Sequence, residues 1–573
     1  MLPVTGWSGR AASERRRSHR RHLPPLPPWV TRVSWTVTLA AAVLAAVGAT
    51  SPTPQARNET SSLLASYTTF NETVNFTHFV VDTHTGKVYV GATNWLYQFN
   101  ASLDLEAAVQ TGPVEDSVLC SPSDCSGVEA ELTDNINKVL VIDYKARKLI
   151  ACGSVHQGAC RRHQLDDITQ QDALVPIPVA ANDRNSSTYA FIGPSHYHGH
   201  TSRALYVATT NIEVSTTVRR RDRNLFGIIE QSFSATARVD IANHIKDYYL
   251  VHYVYGFHTD HFAYFATVQR KSHLRASEEL GYVSRLARVC TSDPAYSTYT
   301  EITLQCLGPD GTNYNLLTDA SVMAAGEDVA DELGLQGGAP DSRVLVGVFV
   351  ASADHTTRPS RKSAVCLFAM TDVEQKFTEN VHMCYNGSVL TRNMDYIAGS
   401  INQCPEPGKA GNIINFCNET VKLSGSVPIS AHAAITYSND TLTSLATVLV
   451  GQHNVLFVGT AKGTLKKILV TGAMEAEEFE EISLDPGHKV IPQIYVDSAQ
   501  NYLFAVSIYK ASYYQNEDET TEIKYRDCVI LNFRADKPPQ TSVMLGFKRH
   551  PVHEYFEAPT ECFKCQRHGH VAK

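Results

Sequence analysis

Apolar residues along this chain come in short runs, and the runs recur. The sharpest is Lys87-Val-Tyr-Val-Gly-Ala-Thr93, followed after Asn94 by Trp95-Leu-Tyr-Gln-Phe99. Two such runs around one polar residue predict strand, tight turn, strand. The same arrangement returns at residues 148–154, 204–209, 261–267, 343–349, 454–460 and 501–507: an apolar strand, a small residue near its end, then a polar turn. No long stretch carries the period and caps of a helix. Repeats of two or more strands each predict an all-β chain, a β-propeller, because a single blade cannot bury both its faces and needs its neighbours. The small residue is expected near the crowded axis. Residues 277–366 fit one blade poorly and are expected to hold an insertion, with 333–340 as a surface loop.

Composition narrows the class. The chain has 573 residues, 43% hydrophobic and 19% charged, which is too apolar for disorder. Residues 33–49 form an uncharged apolar run behind Arg10, Arg15, Arg16, Arg17, Arg20, Arg21 and Arg32. A basic region, an apolar run and small residues predict a signal peptide over 1–49, with a long basic start and cleavage near Ala49. Removing it takes seven arginines and one glutamate, so a net charge of −8 becomes −14. That balance excludes a basic nucleic-acid face, and nothing downstream is long and apolar enough to be a membrane span.

Secretion changes the meaning of two residue types. Asn58, Asn71, Asn75, Asn100, Asn185, Asn386, Asn418 and Asn439 head N-x-S/T sequons and become expected glycosylation sites. Thirteen cysteines become expected disulfide partners. Cys120 with Cys125 and Cys152 with Cys160 are close enough for local bridges. Cys290, Cys306, Cys366, Cys384, Cys404 and Cys417 allow fifteen pairings, and spacing does not choose among them. No metalloprotease, nucleophile-elbow or phosphate-loop motif is present, so catalysis is not expected. His196-Tyr-His-Gly-His200 is a candidate metal cluster by composition only.

Several longer stretches carry a resemblance. They are Thr111-Gly-Pro-Val-Glu-Asp116 before Cys120, Thr133-Asp-Asn-Ile-Asn-Lys138, Gln157-Gly-Ala-Cys160 and Tyr253-Val-Tyr-Gly-Phe257. Arg285-Leu-Ala-Arg-Val-Cys290, Ala364-Val-Cys-Leu-Phe368 and Gly459-Thr-Ala-Lys-Gly-Thr-Leu-Lys-Lys467 complete the set. Together they resemble the sema domain of plexins over residues 65–510, in detail the B type more than the A type. The resemblance implies a seven-bladed propeller with bridges Cys120–Cys125, Cys152–Cys160, Cys290–Cys417, Cys306–Cys366 and Cys384–Cys404, and no cofactor. It also implies a cell-surface receptor for semaphorins, acting in axon guidance and cell motility. Binding in the family uses the edge around the third and fourth blades, corresponding to residues 195–275. Arg219, Arg220, Arg221 and Arg223 fall there as candidate ligand contacts. The chain looks shortened after Thr209, so one blade is expected to be damaged. The family's cysteine-rich module, membrane span and cytoplasmic region have no counterpart in it.

From residue 511 the character changes. Cys562, Cys565 and His570 have the spacing C-x₂-C-x₄-H and resemble a zinc knuckle of retroelement gag-like proteins. Zinc in a closed structural site takes four ligands, and the fourth cysteine would fall beyond Lys573. Residues 511–573 are therefore expected to be a foreign tail with an incomplete knuckle, leaving Cys528 without a partner. Residues 50–64 are the expected linker.

Overall fold

The structure, a computed structural model, describes residues 75–507 with short interruptions, the longest at 211–224, and four further strands at Leu63–Thr68, Val529–Arg534, Ser542–Leu545 and Lys548–Pro551. Residues 1–62 lie outside the described residues. So do Asn58, Asn71, Asn185, Arg219, Arg220, Arg221, Arg223, Cys528, Cys562, Cys565 and His570, and the side chain of Asn418.

Each recurring apolar run becomes the second strand of a blade: Val88–Ala92, Lys148–Gly153, His200–Thr209, Phe262–Arg270, Arg343–Ser352, His453–Thr460 and Tyr502–Ser507. A strand covered on both faces is apolar throughout and does not alternate. Val88–Ala92 is buried at every position. The outermost strand of blade six, Ala476–Ser483, instead exposes every second residue.

The inner strands are Phe76–Val81, Asn137–Asp143, Thr188–Tyr197, Val251–His258, Leu316–Ala324, Leu442–Val450 and Tyr495–Val496. Each touches the next, and the second strand of the seventh blade touches the first inner strand, so the ring closes. The core follows the same circuit. Among the described residues, seven apolar clusters lie one at each junction between adjacent blades. This is a seven-bladed β-propeller in which blade-to-blade contact is the hydrophobic core.

Blade three keeps four strands, because Leu225–Ile229 and Ser234–Val239 extend its sheet; the damage expected after Thr209 falls short of losing a strand. The blade with three strands is the second. Residues 277–366 cross the boundary between blades four and five and hold extra chain, the helix Glu327–Glu332 between the first two strands of blade five. A longer insertion follows, between Pro359–Ala369 and Ile429–Tyr437, and opens with the helix Met370–Tyr385. Val373, Phe377, Val381 and Cys384 form its buried stripe. The outer strands of blades four and five pair in parallel, Leu304 opposite Ile429, and fuse two blades into one sheet.

The seventh blade draws on both ends of the chain. Val529–Arg534 pairs with Tyr502–Ser507 on one side and with Leu63–Thr68 on the other. Its sequence VILNFR has the apolar, β-prone character a sheet accepts, although it lies beyond the expected boundary at 510.

Among the described residues five disulfides are present, and they join the pairs the family resemblance implies: Cys120–Cys125, Cys152–Cys160, Cys290–Cys417, Cys306–Cys366 and Cys384–Cys404. Cys152 and Cys160 stand opposite each other on adjacent strands. Cys290–Cys417 ties the end of a blade-four strand to the insertion across 127 residues.

Candidate functional site

The edge expected to meet a partner runs through blades three and four, and its base is aromatic. Phe191 stacks on Tyr206 with centroids 5.3 Å apart and on His258 at 6.3 Å. Tyr189 meets Tyr255 edge-on at 5.8 Å, and Phe257 stacks on Tyr264 at 4.6 Å. Gly256 admits the Phe191 ring: a Cβ there would stand 2.6 Å from a ring carbon. The stretch Tyr253–Phe257, used above as a family signature, is thus the joint between two blades.

The rim above this joint is held by backbone. The His196 N–H donates to the Thr291 carbonyl at 2.8 Å, and the Thr291 N–H donates to the His261 carbonyl at 2.9 Å. The Thr291 hydroxyl donates to the Asp260 carbonyl at 2.9 Å. One threonine therefore locks the hairpin of blade three to the first turn of blade four. Thr201, His258, Asp260 and His261 are exposed around it. The result is a fixed surface of short polar and aromatic groups, suited to contact and not to bond making. In the candidate metal cluster His196 is 3.0 Å from the Thr201 hydroxyl, while His198 and Gly199 lie outside the described residues.

Beneath the rim, Arg288 of the Arg285–Cys290 stretch is buried and Arg285 is half-buried. The Arg288 guanidinium carbon lies 4.4 Å from the centre of the Phe262 ring, 4.2 Å from that of Phe377 and 4.6 Å from that of Phe416. It pairs with Glu374 of the inserted helix, which also accepts the Tyr264 hydroxyl. Arg285 pairs with buried Glu301, whose carboxylate also accepts the Tyr299 hydroxyl at 3.2 Å and the Gln269 amide at 3.2 Å. Opposite charge and aromatic faces are what make such burial tolerable. In the sequence these arginines mark the family resemblance but do not show their role. An Arg at both ends of R-L-A-R inside an apolar strand was the available signal.

The axis is a channel of about 490 Å³ with mixed polar and apolar lining from all seven blades. Five inner strands carry a bulge there, between Phe76 and His78, Asn137 and Val139, Tyr253 and Tyr255, Leu317 and Asp319, and Leu442 and Ser444. Bulges re-aim side chains, and several of these reach the following blade. Thr77 donates to the Asn137 carbonyl at 2.9 Å, Lys138 to the Ser186 carbonyl at 2.8 Å, and Thr443 to the Val490 carbonyl at 2.7 Å. Asp319 accepts the Leu445 N–H at 2.8 Å and also a backbone N–H of Gln493, so one carboxylate joins blades five, six and seven.

Burial dominates the channel's electrostatics. It pulls the His78 and His252 imidazoles down to about 4, with Lys138 and Lys489 respectively adding to the effect. It brings Lys138 down to about 8 and pushes the Asp319 carboxyl up to about 7 against its hydrogen bonds. The Ser187 hydroxyl lies 3.3 Å from the His252 Nδ1 and 2.7 Å from the Thr210 hydroxyl.

The small residues near the ends of the second strands meet the expectation of crowding but lie elsewhere than the axis. A Cβ on Gly91 would fall 2.3 Å from Asn137, and one on Gly459 would fall 2.1 Å from Ser444. They make room for side chains where an inner strand begins. Among the described residues one cluster has metal-ligand composition, Asp116, Cys125 and His156, with Cys125 in a disulfide.

Of the sequons, Asn386 and Asn439 are exposed, Asn100 is half-buried in a turn, and Asn75 is half-buried just before the first inner strand. No described helix is long and apolar enough to cross a membrane.

Comparison with known proteins follows the same lines. The family model described as "Sema domain" matches residues 317–498. Mouse Plexin-A2 is 28% identical over 490 residues, covering 77% of this chain and 24% of the relative. Zebrafish (Danio rerio) Plexin-A4 is 29% identical over 488 residues, covering 79% and 25%. The chain thus spans about a quarter of the length of these curated relatives. The structure of the Plexin A4 full extracellular region superposes with a TM-score of 0.65 at 22% identity, covering 83% of this chain and 40% of that one. Drosophila Semaphorin 1a, extracellular domains 1–2, gives 0.55 at 16% identity, covering 82% and 88%.

Proposed function

We propose that this plexin-like sema-domain chain is the ligand-binding part of a semaphorin receptor. Its role is to hold a rigid protein-binding rim and not to catalyse a reaction. The observation that carries the reading is the rim of blades three and four. Its backbone is locked through Thr291 and its base packed by Phe191 against Gly256, in a propeller of the plexin kind. A pre-formed surface loses little conformational entropy on binding, which favours recognition of another folded domain.

The partner is a semaphorin sema domain, and the setting is the cell surface or the extracellular space. The apolar run at 33–49 acts as the export signal, and the acidic body gives no attraction for nucleic acid. The arginines Arg219, Arg220, Arg221 and Arg223 are candidate charged contacts for that partner. Cys562, Cys565 and His570 are candidate zinc ligands.

Binding of the purified secreted chain to a panel of semaphorin and plexin sema domains tests this reading. Saturable binding to a semaphorin, weakened more than tenfold by His261→Glu together with Asp260→Arg, is expected. Binding to plexins alone, or to no sema domain, overturns it.

A further inference from the structure

Between blades one and two, two loops bring three metal-binding side chains together, Asp116, Cys125 and His156, and Cys125 is bridged to a fourth, Cys120. Asp116 closes a short strand, Val114–Asp116, that pairs with Glu131–Thr133. Cys120 and Cys125 bound the loop between those strands. His156 follows the second strand of blade two. The His156 N–H donates to an Asp116 carboxylate oxygen at 3.1 Å, and its Nδ1 lies 3.8 Å from the Cys125 sulfur. The Gln157 amide donates to the Cys120 carbonyl at 2.5 Å, fastening the second loop onto the first. His156 and Gln157 have φ of 51° and 58°, in the left-handed region that side chains adopt only when held there. The ligand atoms of Asp116, Cys125 and His156 all lie within 4.8 Å of one another. A cavity of about 340 Å³ lined by His156 opens beside them.

A disulfide sulfur has no thiolate to offer a metal. The oxidised chain therefore holds two usable ligands, Asp116 and His156, which is too few for zinc. Breaking the Cys120–Cys125 bond supplies the other two. We propose that this site is a redox-gated zinc site of the composition Cys₂HisAsp, empty while the bridge is intact and tetrahedral once it is reduced.

The reductant is a dithiol. Its thiolate attacks the Cys125 sulfur, which is half-buried, while Cys120 is fully buried. The Cys120 sulfur leaves, and the second thiol of the reductant then displaces Cys125. Two electrons and two protons pass from the dithiol, which becomes a cyclic disulfide, and two protein thiols remain. Zinc binding releases both thiol protons and adds the His156 imidazole nitrogen and the Asp116 carboxylate. The consequence is an exchange of one cross-link for another, with the junction of blades one and two held by metal.

The test uses the full chain with Cys528, Cys562 and Cys565 replaced by serine, so that every thiol present arises from a bridge. It is treated briefly with an immobilised dithiol, freed of it and titrated with Co²⁺ without oxygen. One equivalent of cobalt with tetrahedral ligand-field bands and sulfur-to-cobalt charge transfer is expected after reduction, and none before. Zinc is expected to displace the cobalt and to shield Cys120 and Cys125 from alkylation in mass mapping. His156→Ala should weaken cobalt binding more than about tenfold, with the same thiols exposed. Bands that persist when Cys120 and Cys125 are both replaced by serine overturn the proposal. So does the lack of bands when mapping shows both thiols reduced.

Discussion

Gly256 faces Phe191 across the junction of blades three and four, and a Cβ on the glycine would stand 2.6 Å from the phenylalanine ring. Both residues lie on inner strands, so neither backbone can retreat without moving a blade. Gly256→Ala is expected to destabilise the fold by about 1–3 kcal/mol through overpacking. Phe191→Leu in the same chain should restore part of that loss, and urea unfolding of the two single variants and the double variant measures the coupling. Simple additivity would mean that the two residues do not compete for space.

The Arg288 cage makes an asymmetric prediction. Glu374 is about a third exposed and can hydrate when left alone, whereas Arg288 is about 1% exposed and cannot. Glu374→Ala should therefore cost about 3–5 kcal/mol, and Arg288→Met clearly less. Chemical denaturation of the two variants decides it, and the reverse order would show that the aromatic rings suffice to hold the guanidinium.

Cys290–Cys417 closes the longest loop of the five bridges and sets Phe416 against Arg288. Replacing both cysteines by alanine should cost about 4–5 kcal/mol in the loop-entropy account. The same change to Cys120 and Cys125, whose separation is only 5, should cost less. Thermal midpoints of the two double variants give the comparison.

The channel predicts a definite response to acid. His78 and His252 have folded values near 4, below the ordinary 6.5, so the unfolded chain takes up protons first as pH falls. Stability contributed by keeping them neutral is present above 6.5 and is lost as pH falls towards 4. Asp319 works the other way. Its folded value near 7 lies above the ordinary 3.8, so its contribution is fully present below 3.8 and is lost as pH rises through 7. His252→Gln should flatten the loss of stability between pH 6.5 and 4. Asp319→Asn should steepen it. Urea midpoints across that window read both slopes.

Glycan mapping offers a further check. Asn386 and Asn439 are exposed, and both are expected to be modified. Asn75 precedes an inner strand whose Thr77 hydroxyl is turned to the Asn137 carbonyl, and it is expected to remain bare in the folded secreted chain. Deglycosylation in heavy water followed by peptide mass analysis distinguishes the sites.

The strands of the ring were legible because burial on two faces writes a continuous apolar run, as in Val88–Ala92 and Phe262–Arg270. The longer insertion after Ala369 was not legible because blade boundaries carry no mark of their own: Cys290 and Cys306 lie on adjacent strands of one blade, and Tyr314 begins the approach to the next. The rim lock at Thr291 was not legible, since two of its three hydrogen bonds use backbone groups that every residue has. Asp319 was equally silent, since besides the adjacent Ala320 N–H its backbone donors, Leu445 and Gln493, lie more than a hundred positions away.

One pairing has a consequence in time. Leu63–Thr68 is among the earliest strands to leave the ribosome, yet its partner Val529–Arg534 is among the last. At roughly 5–20 residues per second the interval is on the order of half a minute or more. Throughout that wait an unmated edge is open to other chains, so secretion of this molecule should depend on lumenal chaperones more than its finished stability would suggest.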